Sequence, residues 1–424
     1  MSSYFKWPVF IAIMCFPALS ISLHNAGNAC LFFLFILALI AAICRYKPMG
    51  VGFTTLLKDY WPLHLAMISA VIAVLLNQAS TGRFSIKYYD TAFRIALFIP
   101  IFWVVLDVPL AWLKKIQWAF VAGTILALIK IFWFTQGGES RPANIGFMPT
   151  IPFSDMGLMF GVIALLTIGW NERHEKLKMA LKILACCAGV YITILSLTRG
   201  SWIAIPVFMV IIFAVTNGFK IKHKLIVLIA IAVALSGVFV FNKNIQTRFV
   251  AAKSDMTLYA EQENANDSLQ KNVDTSLGFR LQLWHASWEL FKTNPVFGVG
   301  RDNFSSGLDA LAERKIITPD AAAFPHSHNE ILFNMAILGI FGLLATLSIY
   351  FVPAYYFFRE MRHPDRQIRI AAASGLVICL GFFMFGLTDM MFFWNVTGGI
   401  YSMSIAAFLA CIIKRKKELE WATR

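Results

Sequence analysis

Around residue 326 the chain reads Phe324-Pro325-His326-Ser327-His328-Asn329-Glu330, two imidazoles separated by one serine, immediately before a long apolar run. Imidazole changes charge near neutral pH, so a histidine at such a boundary suits proton transfer, and the adjoining Asn329 can fix the ring or a sugar hydroxyl. His328 is the favoured base because it stands where the following helix begins, with His326 as its neighbour and Glu330 able to cap or orient. A metal is the rival reading of two histidines, but no cysteine or carboxylate set stands at helix spacing beside them, and none is expected to bind.

Two arginines complement that base. Ser196-Leu197-Thr198-Arg199-Gly200-Ser201-Trp202 joins two apolar spans with almost no connection, leaving a guanidinium at a membrane boundary beside a helix-starting serine. The plain reading is a tight hairpin whose arginine snorkels; the functional one is a planar donor set that clamps a phosphate near a helix amino terminus. Arg280 lies one turn before Trp284, in a stretch where Leu277, Leu281, Trp284, Trp288 and Phe291 recur at helical spacing. That stripe predicts an amphipathic helix on the membrane or against the bundle, with His285 as a surface residue. Arg94 begins another span and would help bind an anionic substrate, while Asp389 would either pair with an arginine or cap a helix. Asp107, within a span, asks for a packing partner, and Asp155 is expected to cap a helix, the alternative being to orient a neighbouring arginine. The turn Asn294 to Phe304 lacks the full glycine spacing of a dinucleotide fold and reads as a shaped loop beneath the next helix; the acidic stretch 253–274 fits no calcium loop.

These residues must be positioned by a membrane bundle. A hydrophobic fraction of 58%, only 14% charged residues and a mean hydropathy of +0.68 exclude an ordinary soluble globule of 424 residues. Continuous apolar stretches, rather than alternating ones, predict an all-α polytopic protein of about twelve spans: roughly 4–22, 28–44, 61–78, 94–113, 117–135, 152–170, 179–197, 201–218, 225–241, 330–356, 369–387 and 394–413. This gives an amino-terminal bundle (1–241), a large polar loop (242–329) and a carboxy-terminal bundle with a basic tail (330–424). The net charge of +14 is gathered in alternate short connections and in Lys414 to Lys417, a topology signal and not a nucleic-acid surface. It puts both termini in the cytoplasm and the large loop outside, where Arg83, Lys87, Arg94, Arg141 and Arg199 run against the bias. The first span is not expected to be a cleaved signal, and the seven cysteines, all in or beside apolar runs, imply neither a disulfide framework nor a metal set.

Taken in order, the Arg199 hairpin, Arg280 before Trp284, the 294–304 turn and His326-Ser327-His328-Asn329 resemble the bacterial O-antigen ligase family and its relatives, the O-antigen polymerases and O-oligosaccharyltransferases. The resemblance implies a GT-C-like membrane glycosyltransferase of the inner membrane, active at its periplasmic face without metal, nucleotide or other cofactor. It implies an undecaprenyl-diphosphate-linked donor and, for a ligase, a lipid A-core acceptor, the alternatives being a carrier-linked glycan for a polymerase and a protein hydroxyl for an O-oligosaccharyltransferase; Arg199, Arg280 and His328 match the essential arginines and histidine, with Arg94, His326, Asn329 and Asp389 in supporting roles. Partners are then lipid-linked glycans and membrane lipids. A transporter of lipid-linked glycan is the reading from another class, against which stand the absence of a convincing internal repeat and the clustering of polar signals at one face.

Overall fold

A computed structural model describes residues 2–170, 175–216 and 274–422, with a few isolated positions between. The expected span 225–241 and the acidic stretch as far as residue 273 lie outside the described residues. In chain order the helices are α1 (Ser2–Leu19), α2 (Ala26–Ile43), α3 (Phe53–Asp59), α4 (Trp61–Thr81), α5 (Asp90–Ala96), α6 (Phe98–Val105), α7 (Leu110–Leu113), α8 (Ile116–Phe134), α9 (Thr150–Leu166), α10 (Lys176–Leu195), α11 (Ile205–Val215), α12 (Ser276–Thr293), α13 (Phe304–Glu313), α14 (Pro319–Ala322), α15 (Glu330–Glu360), α16 (Arg366–Gly386) and α17 (Asn395–Ala422). One antiparallel pair, β1 (Asn144–Ile145) with β2 (Met148–Pro149), is the sole sheet among the described residues.

The protein is a polytopic, nearly all-α membrane protein. Nine helical segments among the described residues are long and apolar enough to cross a bilayer, and two shorter apolar helices, Phe5–Leu19 and Gly200–Val215, accompany them. Eleven of the twelve expected spans therefore have a helical counterpart. The fourth is displaced, occupying Ile86–Val105 instead of 94–113. Pro109 lacks an amide hydrogen and ends the run, so Asp107 sits in the turn after α6, not within a span. There it accepts hydrogen bonds from the Tyr46 hydroxyl at 2.8 Å and the Met49 amide at 3.3 Å, the packing partners it needs.

The chain forms two compact units. The first comprises 1–75, 84–215 and 345–424. Its most enclosed helices are α9, α16 and α17, whose apolar windows are 83%, 78% and 89% buried, whereas those of α2 and α10 are 33% buried and leave a broad face for lipid. α9 and α10 cross through small residues. A side-chain carbon at Gly161 would stand 2.8 Å from the Ala185 carbonyl, and one at Gly189 2.8 Å from that of Gly157, so the backbones touch directly.

The second unit comprises 76–83 and 216–344 and contains α12, α13, α14 and the first turns of α15. α15 is broken at Gly339, whose φ of 65° and ψ of −149° belong to a region open essentially to glycine alone. An unbroken helix would pair the Ala336 and Ile337 carbonyls with the amides four residues on. Here they accept instead from Val299 at 3.0 Å and Gly300 at 2.9 Å, and the Ile340 amide turns to the Pro295 carbonyl at 2.8 Å. The Asn77 amide adds bonds to the carbonyls of Phe297 at 2.7 Å and Ile337 at 3.2 Å. The 294–304 turn is thus the shaped loop expected, but it fills a gap in the helix as well as packing against it.

Candidate functional site

In the second unit the histidines are presented by the loop that enters α15. Asn329 caps that helix, its side-chain oxygen accepting from the amides of Ile331 at 3.1 Å and Leu332 at 3.0 Å. Ser327 donates to the Asn329 carbonyl at 3.0 Å, closing a short turn. Within it His328 takes a left-handed φ of 51°, uncommon for a residue other than glycine. The rings of His326 and His328 meet edge to face with centroids 4.4 Å apart, and Nδ1 of His326 faces the His328 amide at 3.4 Å. That contact makes Nδ1 of His326 the acceptor and leaves Nε2 to carry the proton in its neutral form. His326 is buried and His328 half-buried. Glu330 opens α15, and its carboxylate accepts from the Asn334 amide group one turn on, at 3.4 Å.

Aromatic contacts tie this turn to α12. Phe324 packs on His328 with ring centroids 5.6 Å apart, and Phe279 packs on Phe324 at 5.0 Å. Arg280 follows Phe279 directly and is half-buried, with no hydrogen bond or ion pair to any described residue. Its planar donors are not taken up by any described residue.

The face that α12 buries in the protein is not its aromatic stripe. Gly278, Gln282, Leu283, Ala286, Ser287 and Leu290 are enclosed, while the stripe of Leu277, Leu281, Trp284 and Phe291 is only half-buried and Trp288 is 47% exposed. The cause is a buried polar network. Gln282 donates to Asp274 at 3.1 Å and accepts from the Thr318 amide at 2.8 Å, and the Thr318 hydroxyl donates to the same carboxylate at 2.6 Å. These three residues fix α12 against the loop that leads to the histidines, and sequence reading missed them, because a glutamine among aromatics carries no periodic signal. Asn77 was missed too, although the polar pair Asn77-Gln78 closing an apolar helix was a visible sign.

In the first unit Arg199 sits at the tip of the α10–α11 hairpin. The residue two places before it, Leu197, adopts a left-handed φ of 53°, and its amide and that of Thr198 fold back onto the Ile194 and Thr193 carbonyls at 3.1 Å each. Arg141 donates to the Ser196 carbonyl at 3.0 Å, satisfying an acceptor at the end of α10. On the other flank Ser201 donates a short hydrogen bond to Asp155. Asp155 is thereby corrected: it lies inside α9, fully enclosed, and anchors the hairpin instead of capping a helix. Gly200 approaches Thr388 so closely that a side-chain carbon there would stand 2.9 Å from its hydroxyl, which sets the hairpin against the Thr388-Asp389 turn. Asp389 is buried and accepts from the Met390 amide at 2.8 Å.

Arg94 is engaged elsewhere. Its guanidinium pairs with Asp90 at 2.9 Å, donates to Asn28 at 2.8 Å and lies over the Phe32 ring at 5.1 Å. A residue with those partners and only a tenth of its side chain exposed holds helices together, so the expected substrate contact finds no support in its surroundings.

The stretch that holds Arg199, Arg280 and both histidines also carries the sequence likeness. Residues 183–347 match the family model described as O-antigen ligase. Over that stretch the chain resembles an O-antigen ligase. An O-antigen ligase of Escherichia coli is 25% identical over 265 residues, 62% of this chain and 58% of that protein's length. An uncharacterized protein of Haemophilus influenzae is 25% identical over 325 residues, 75% of this chain and 78% of its own. The matched stretch takes in α12, α13, α14, the 294–304 turn and the opening of α15, so the break at Gly339 and the turn that fills it lie within the region of likeness.

Proposed function

We propose that this protein is an O-antigen ligase of the bacterial inner membrane, moving a glycan from undecaprenyl diphosphate to lipid A-core at the periplasmic face. The observation that carries the reading is the coincidence of the ligase-family match with Arg199, Arg280 and His328. The diphosphate is a good leaving group whose developing charge calls for cationic donors, and the two guanidiniums supply them. His328 accepts the proton of the acceptor hydroxyl as its oxygen bonds to the anomeric carbon; the bond from that carbon to the diphosphate oxygen breaks and carries the electron pair away. One displacement from the opposite face inverts the anomeric configuration. The energy resides in the sugar–diphosphate bond, so no nucleotide enters, and the arginines take the place of a divalent cation.

The test is transfer by purified full-length protein in vesicles holding carrier-linked O-antigen and lipid A-core, with EDTA and without nucleotide. Glycan on lipid A-core with wild type and not with His328→Ala supports the reading. Lengthening of the carrier-linked glycan would replace it with polymerase activity, carrier-linked glycan crossing the vesicle unaltered would replace it with transport, and retained anomeric configuration would remove the single displacement.

A further inference from the structure

A concave site lies in the first unit at the amino-terminal end of α10, the end opposite the Arg199 hairpin. A cavity of about 270 Å³ is lined by Lys114, Lys115, Gln117, Trp118, Trp170, Glu175 and Lys178, with Ala111 at its edge. Among the described lining residues three ammonium groups face one carboxylate, and that carboxylate, Glu175, is already paired with Lys178. Neither Lys114 nor Lys115 has an ion-pair partner among the described residues. Behind the wall a fourth ammonium, Lys182, is wholly enclosed: it donates to the Gln117 side chain and to the Thr167 carbonyl at 2.7 Å, and lies 5.2 Å from the centre of the Trp118 ring. An enclosed lysine behind a mouth of net positive charge adds to the positive potential there and favours an anion.

The surroundings say what kind of anion. Leu177, Leu181 and Leu184 on α10 are 74%, 40% and 57% exposed, an apolar track beside Lys178. Lys115 reaches toward the Phe10 ring, which packs with Trp7 and Trp112. Tryptophans and lysines at the end of a bundle beside a leucine track match a headgroup level with acyl chains running alongside. We infer that this cavity is a binding site for a phosphate group, that of an anionic phospholipid whose headgroup enters between Lys114, Lys115 and Lys178 while its tails lie along α10. The site is independent of the glycan chemistry proposed above.

Native mass spectrometry of the full-length protein released from detergent tests this directly, with dioleoyl phosphatidylglycerol against dioleoyl phosphatidylcholine and with inorganic phosphate as competitor. Wild type should keep one phosphatidylglycerol preferentially, and K114Q/K115Q, which leaves the enclosed Lys182 untouched, should weaken that retention about 30-fold. Failure of millimolar inorganic phosphate to displace the lipid identifies the headgroup as the ligand, and displacement identifies a free phosphate site with the same residues. Equal retention of the two lipids, or retention unchanged in a double variant whose thermal unfolding matches wild type, overturns the inference.

Discussion

The Arg199 hairpin and the His326–His328 turn are both tight connections with a left-handed residue other than glycine, yet they are held in opposite ways. The histidine turn has supports among its own neighbours: Ser327 on Asn329, Asn329 on the next two amides, Phe324 on His328. The arginine hairpin is held by residues distant in sequence: Arg141 on Ser196, Asp155 on Ser201, Thr388 against Gly200. A general base needs a fixed ring, which a local turn supplies. A cation at a membrane boundary needs a rigid support against its own hydration, and that takes several helices.

Several substitutions would break or sharpen this contrast. His328→Ala should abolish transfer by about 100-fold or more while leaving the thermal unfolding midpoint close to wild type, since the turn's hydrogen bonds come from its neighbours; a large fall in stability would show that the ring itself holds the turn. Gly339→Ala should do the reverse of a local change. A side-chain carbon there would lie 2.3 Å from the Val296 carbonyl, in a backbone region closed to alanine, so a loss of about 3 kcal/mol or more is expected in detergent unfolding. Arg199→Lys keeps the charge but loses the planar donors, and should lower transfer about 10-fold without destabilising; full activity would reduce Arg199 to a snorkelling residue.

Smaller effects come from the supports. Ser201→Ala removes a hydrogen bond from the enclosed Asp155 and should cost about 1–3 kcal/mol of stability together with part of the activity, where Ser327→Ala should cost less because its partner is a carbonyl in the same turn. Smallest is a pH effect outside both regions. Burial alone would raise the Asp365 carboxyl, but the Arg415 guanidinium at 2.9 Å and the amides of Ile368 and Gln367 outweigh it and hold the group below the usual carboxylate range. Its stabilisation is complete above that range and fades as pH falls through the lowered folded value, so Asp365→Asn should flatten the acid limb of a stability–pH profile.

The same contrast explains what could be read from sequence. Spans are legible because lipid demands continuous apolar runs, and His326-Ser327-His328-Asn329 is legible because its supports are adjacent. Asp155 was misplaced because a carboxylate near a helix start reads as a cap unless its distant partner, Ser201, is known. The enclosed side of α12 was not legible because aromatic periodicity marks whatever is apolar, whether core or lipid, while that side is set by Gln282, Asp274 and Thr318. Arg94 looked available until Asp90 and Asn28 appeared beside it.

The gap in α15 also bears on the order of assembly. A helix entering lipid cannot leave the carbonyls of Ala336 and Ile337 unpaired, and their donors, Val299 and Gly300, come earlier on the growing chain. Asn77, which steadies the same junction, comes earlier still. Both receiving surfaces are therefore synthesised before the helix that needs them, so α15 can break as it docks instead of first forming a continuous helix that must later be pulled apart. A chain rearranged to make residues 330–344 ahead of residues 294–300 would lose that advantage, even with every native contact still available.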